Sequence, residues 1–160
     1  MKHVRALLSV GALAASITGP TACTDGAPGS LSSEASGVTT IDVSLTAFAA
    51  GSIAQGTSGG YAPAQLVVPV GTQIRFVNED SFAHTASAVS GTRFPASSPL
   101  TAAALTPSAS GTSLSGATWS SGNLAAGAAS PVFIADAPGT YLFGCFYHFG
   151  APMRGAIVVR

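Results

Sequence analysis

Near the C-terminus the chain reads PGTYLFGCFYHFGAPMRGAIVV, Pro138–Val159. It places Cys145, His148 and Met153 within nine residues. Apolar, strand-like segments flank them, Thr140–Gly144 before and Gly155–Val159 after. The Pro138-Gly139 pair is a turn signal, so the first segment starts as a fresh strand. One loop between two strands therefore carries three side chains able to bind a soft metal.

Outward from this loop, the remaining periodicity is two rather than 3.6. Val38–Phe48 alternates Ile41, Val43 and Leu45 with Thr40, Asp42 and Ser44. Two strands, Ala64–Val68 and Gln73–Asn78, are hinged at PVGT, and Phe82–Val89 adds a third segment. A further strand is expected near Pro131–Ala135. Gly91–Gly116 carries Arg93 as its only charge and is rich in Pro, Ser and Ala; it reads as a long inserted surface loop in which AAAL makes one helical turn. The fold expected is all-β, a Greek-key sandwich of about seven or eight strands.

Composition narrows the function. Of 160 residues only 8% are charged, and six basic side chains balance six acidic ones. No basic stripe points to nucleic acid. Lys2 and Arg5 precede a short apolar run, Ala6–Thr18, which reads as an export signal over residues 1–22. GPTAC ends at Cys23 and resembles the lipobox of bacterial lipoproteins, which implies lipidation of that cysteine; ordinary secretion is the alternative. Residues 23–37 form a polar tether, and residues 38–160 the domain. The expected location is periplasmic or cell-surface, with the membrane reached only through a lipid on Cys23.

Beyond Cys23 and the leader, the chain holds one cysteine (Cys145), two histidines (His84, His148) and one methionine (Met153). A thiolate and two imidazoles with a weaker thioether suit copper in both its oxidation states. Each residue also has a plainer reading: His84 as a core histidine, Cys145 as a small buried hydrophobe, Met153 as a gap-filler. The same donors bind zinc, although Cu(II) out-competes it. Glu79 and Asp80, close to His84, are read as the end of a strand. No Ser-His-Asp set, paired acids or phosphate-cradling glycine loop stands out.

The spacing C-x2-H-x4-M with an upstream histidine resembles the cupredoxin family, the plastocyanins above all. Tyr61–His84, with its VPVGT turn and NED before the histidine, is similar to the family's first-ligand region. Trp119–Arg160, with SGNL and PGTY, is similar to the run into its cysteine. The resemblance implies one copper ion cycling between Cu(I) and Cu(II), with His84, Cys145 and His148 equatorial and Met153 axial. It further implies a monomeric blue copper electron carrier, not an enzyme, that docks transiently with redox proteins near His148 and Phe149. A tethered copper acceptor without electron transfer is the alternative. Where many members carry asparagine after the first histidine, this chain has Thr85, whose hydroxyl offers a similar hydrogen bond.

Overall fold

Strand Gln73–Asn78 shows why this chain forms sheets: Ile74, Phe76 and Asn78 are buried while Gln73 and Arg75 face out. That alternation needs a covered face on one side only. The computed structural model describes residues 37–160. The expected export signal, Cys23 and nearly all of the tether lie outside the described residues.

Among the described residues eleven short strands follow in chain order: β1 (Thr39–Val43), β2 (Gly51–Ile53), β3 (Gly56–Ser58), β4 (Tyr61–Ala62), β5 (Gln65–Val68) and β6 (Gln73–Asn78) come first. Then come β7 (Ser87–Val89), β8 (Thr112–Ser113), β9 (Phe133–Ile134), β10 (Gly139–Gly144) and β11 (Arg154–Val159). They form one sheet of order β4-β1-β6-β9-β8, a second of order β5-β11-β10-β7, and a β2-β3 hairpin. The all-β sandwich matches expectation. The strands outnumber the seven or eight foreseen because several are two- or three-residue pieces. Phe82–Val89 is mostly not strand: only Ser87–Val89 pairs as β7, while His84 makes a single bridge to Leu124.

Between the sheets, Phe76 is the hub. Its ring packs edge-on to Phe133 and Phe143 and stacks on Trp119. Ile41, Val43, Ile74, Ile157 and Cys145 join the same cluster, so the thiol grows out of the main core. A second cluster, Val89, Leu142, Phe149 and Ala156, lies apart, with Ile53, Phe94 and Leu100 packed on it. The β2-β3 hairpin and the inserted loop supply those last three. This explains why β11 is apolar without alternation: sheets covered on both faces lose the period-two pattern.

The inserted loop is tied to the turn of the β2-β3 hairpin. Phe94 N–H donates to Gln55 O at 3.1 Å, and Arg93 Nη1 to Ala54 O at 3.3 Å. Ala102–Leu105 forms the expected helical turn, as a 3-10 turn.

Gly155 pairs with Phe143 across β10 and β11. A Cβ there would meet Phe143 Cζ at 2.5 Å and Ala64 O at 2.9 Å. Gly155→Ala must therefore displace a core ring and a backbone carbonyl, costing about 2 kcal/mol. Urea unfolding of the metal-free protein reads this as a lower midpoint at unchanged slope; an unshifted midpoint would refute the packing described.

Candidate metal centre

Three donor atoms converge at one end of the sandwich. Cys145 follows directly on β10, His148 lies in the loop, and Met153 directly precedes β11. Because β10 and β11 are antiparallel neighbours, with Gly144 opposite Arg154, the loop must fold back on itself. Cys145 N–H donates to Met153 O at 3.0 Å and Met153 N–H to His148 O at 3.1 Å, which closes it. His84 arrives from the other sheet through the turn after β6. Its N–H donates to Leu124 O at 3.1 Å and its carbonyl accepts from Leu124 N–H at 2.8 Å.

Cys145 Sγ lies 3.7 Å from His84 Nδ1 and 3.7 Å from His148 Nδ1, and the two nitrogens are 3.2 Å apart. His84 and Cys145 are buried and His148 half-buried. A point equidistant from the three atoms lies about 2 Å from each, the length of a bond from nitrogen to a first-row metal. The residues thus fit a single small ion, and a soft thiolate beside two imidazoles favours copper over harder cations. Met153 is wholly buried, its thioether against Gly60. A side chain on Gly60, whose φ is +70°, would meet Met153 Cγ at 2.5 Å, so only glycine leaves that room.

Three neighbours, Asp80, Thr85 and Tyr61, fix the donors. Asp80 Oδ2 accepts from His84 Nε2 at 2.8 Å, which sets the tautomer and turns the Nδ1 lone pair to the centre. Asp80 is itself held: Ser44 Oγ donates to Oδ1 and Leu45 N–H to Oδ2, both at 2.7 Å, with Thr46 Oγ1 as a further donor. Burial alone would raise this carboxyl. The hydrogen bonds from Thr46, Ser44, His84 and Leu45 together outweigh it and hold the group well below the usual carboxylate range. Thr85 N–H points at Cys145 Sγ from 3.4 Å, and its Oγ1 accepts from Phe146 N–H at 2.9 Å. That hydroxyl makes the tie between ligand segments expected of it. Tyr61 donates from its hydroxyl to Thr85 O at 2.6 Å; burial and then the charge of Cys145 push its phenol well up, so it stays a donor. Burial and the neighbouring His84 hold His148 below its ordinary value, against the pull of Asp80, which keeps the imidazole neutral and free to ligate.

One sequence reading is extended and one corrected. Asp80 follows the end of β6, as read, and is also the anchor of His84. The signal was its place four residues before the histidine, which the turn after β6 brings into reach. Phe149, expected to take part in docking beside His148, is not at the surface. It is 2% exposed and packs beneath the backbone of Gly144, where a Cβ would lie 2.6 Å from its Cδ2. The exposed aromatic rings near the site are Phe82 at 39% and Tyr147 at 45%. Phe82 lies 4.9 Å from the His84 ring and 5.7 Å from that of His148, centroid to centroid.

The model of the family "Copper binding proteins, plastocyanin/azurin family" matches residues 51–160. Among solved structures the chain is similar to the purple cupredoxin of Nitrosopumilus maritimus. The identity is 18%, over 76% of this chain and 99% of that one, with a TM-score of 0.45. It is also similar to a reduced amicyanin variant, at 20% identity over 79% and 85% of the two chains, with a TM-score of 0.46. A search of curated proteins finds no significant match.

Asp80→Asn turns one acceptor oxygen into a donor facing donors, and is expected to cost about 2 kcal/mol in the metal-free protein at neutral pH. A depressed carboxyl contributes stability that is complete above its unfolded pKa of about 3.9 and is lost as pH falls through the folded value. The gap between wild type and variant in denaturant titrations should therefore close as pH drops below about 4. A gap that widens on acidification would contradict the assignment.

Proposed function

The chain belongs to the plastocyanin/azurin family of copper-binding proteins, and from that premise we propose that it is an exported blue copper protein that carries single electrons between redox proteins. The observation that carries this reading is the buried triangle of two imidazole nitrogens and one thiol sulfur, with edges of 3.2–3.7 Å, sized for one ion. Bound copper supplies the Cu(I)/Cu(II) couple.

His84, Cys145 and His148 hold the ion, and Met153 is its weak fourth ligand. The protein's part is to keep these donors still. Asp80 fixes one ring, the loop-closing bonds fix Cys145 against Met153 and His148, and Thr85 ties the histidine segment to the cysteine segment. A site that need not rearrange between oxidation states exchanges electrons quickly. The Thr85 N–H directed at sulfur and the apolar wall behind it tune the potential.

Electrons enter and leave at the His148 end. His148 is the half-buried ligand, and Phe82, Tyr147 and Ala151 are exposed around it. An apolar rim of this size suits brief docking through a small interface. Few charges flank it, so association depends weakly on ionic strength. Both histidines of the domain are used by this site, which leaves none for a second copper centre of the kind oxidases and nitrite reductases require; the role is carriage, not catalysis. Export through residues 1–22, with Cys23 lipidated, places the domain on the far side of the membrane, and the mass of the mature N-terminus tests that part separately.

Adding Cu(II) to the purified protein should produce an intense band toward the red end of the visible, lost on reduction and absent in Cys145→Ser. Reversible one-electron voltammetry should follow. Copper uptake without that band or without reversibility would leave a metal acceptor instead. Phe82→Ala and Tyr147→Ala should slow electron exchange with a redox protein severalfold while leaving the band in place. A steep salt dependence of that exchange would count against apolar docking.

A further inference from the structure

Arg154 follows Met153 immediately, yet its side chain does not run out into water. The guanidinium lies 4.7 Å over the ring of Phe149 and 5.5 Å from that of Phe94, gripped between them. Nη1 donates to Pro95 O at 3.1 Å. Nε is buried and, among the described residues, has no hydrogen-bond partner. Among the described residues the only ion pair is His84–Asp80, so no carboxylate neutralises this arginine. The chain holds a cation in a partly dry setting without a counter-ion, and structure alone gives little reason to do so.

Its placement gives a reason. Phe149 follows the ligand His148 and packs against Gly144, the residue before Cys145. The charge therefore sits behind the ligand loop, one packed ring away from it. Phe94 and Pro95, which complete the clamp, belong to the inserted loop Gly91–Gly116, anchored at Gln55 through the Phe94 amide. His84, for its part, leans on the negative Asp80.

We propose that Arg154 is a fixed positive charge that raises the reduction potential of the copper site, and that the inserted loop serves to hold it in place. This rests on the copper reading above. With the thiolate counted, the oxidised site carries one positive charge and the reduced site none. A nearby cation disfavours the oxidised form and leaves the reduced one nearly untouched. Aromatic faces hold the guanidinium by cation–π attraction, and with Nε buried only part of the group meets water. Arg154 acts through this field and is a positioning and tuning residue, not a ligand.

The test compares Arg154→Gln and Arg154→Met, which remove the charge, with Arg154→Lys, which keeps it. Two neutral variants are made so that a folding failure in one leaves the other to decide. The blue band is recorded first: its absence from wild type overturns the copper reading and this inference with it. Where the band is present, voltammetry should show a lower potential in the neutral variants. The equilibrium constant for reduction should fall about tenfold, which is about 59 mV for a one-electron couple. Arg154→Lys should stay near wild type. A second readout needs no metal: exchange of the Phe94 amide hydrogen should accelerate in both neutral variants, since the loop loses its grip. An intact blue band with unchanged potential in the neutral variants would overturn the inference, as would an equal fall in Arg154→Lys.

Discussion

Two backbone hydrogen bonds, Cys145 N–H to Met153 O and Met153 N–H to His148 O, are the constraint on which the centre depends. They turn a nine-residue excursion between neighbouring antiparallel strands into a closed loop. The sulfur and one imidazole are then placed before any ion arrives. The second imidazole has to come from the other sheet, and a single strand end could not hold it rigidly. Asp80 solves this by gathering donors from Ser44, Leu45 and Thr46 while accepting the Nε2 proton of His84. The end of β1 and the turn after β6 are thus fastened to one another, and Thr85 Oγ1, accepting from Phe146 N–H, ties the histidine segment to the ligand loop.

That fastening serves the chemistry of copper. Cu(I) and Cu(II) prefer different surroundings, and a site that relaxed toward each in turn would transfer electrons slowly. A buried, cross-tied triangle resists relaxation because its donors are held by hydrogen bonds from more than one segment. Close packing adds to this, since Cys145 and Met153 belong to the same cluster as Phe76 and Ile157 and cannot shift without disturbing the core. Gly60 shows how little slack exists, its missing side chain being the space the Met153 thioether occupies.

The sequence was informative where chemistry is scarce and silent where geometry decides. With one cysteine, two histidines and one methionine in the domain, the candidate quartet needed no structure, and β6 declared itself through strict alternation. NED does close β6, but the role of Asp80 was not legible, because it arises from Asn78, whose Oδ1 accepts the Asp80 N–H and whose Nδ2 donates to Phe82 O. Phe149 was placed outside because the family resemblance brings His148 to the surface and Phe149 follows it directly in the chain. Loops carry no period to say which residue turns inward. The β2-β3 hairpin went unseen since three-residue strands built mainly of Gly, Ser and Thr leave no hydrophobic pattern. The purpose of the inserted loop could not be read from its composition, because what it covers, Phe149 and Arg154, lies some way further along the chain.

The central claim is that one copper ion sits within a preformed triangle of two ring nitrogens and a thiolate sulfur that hardly changes when an electron is gained. X-ray absorption at the copper edge, on oxidised and reduced samples, tests it most directly. The account predicts one short copper–sulfur distance and two copper–nitrogen distances, about 2.0–2.3 Å, all three present and nearly unchanged in both states. Loss of a nitrogen or of the short sulfur distance on reduction would contradict it.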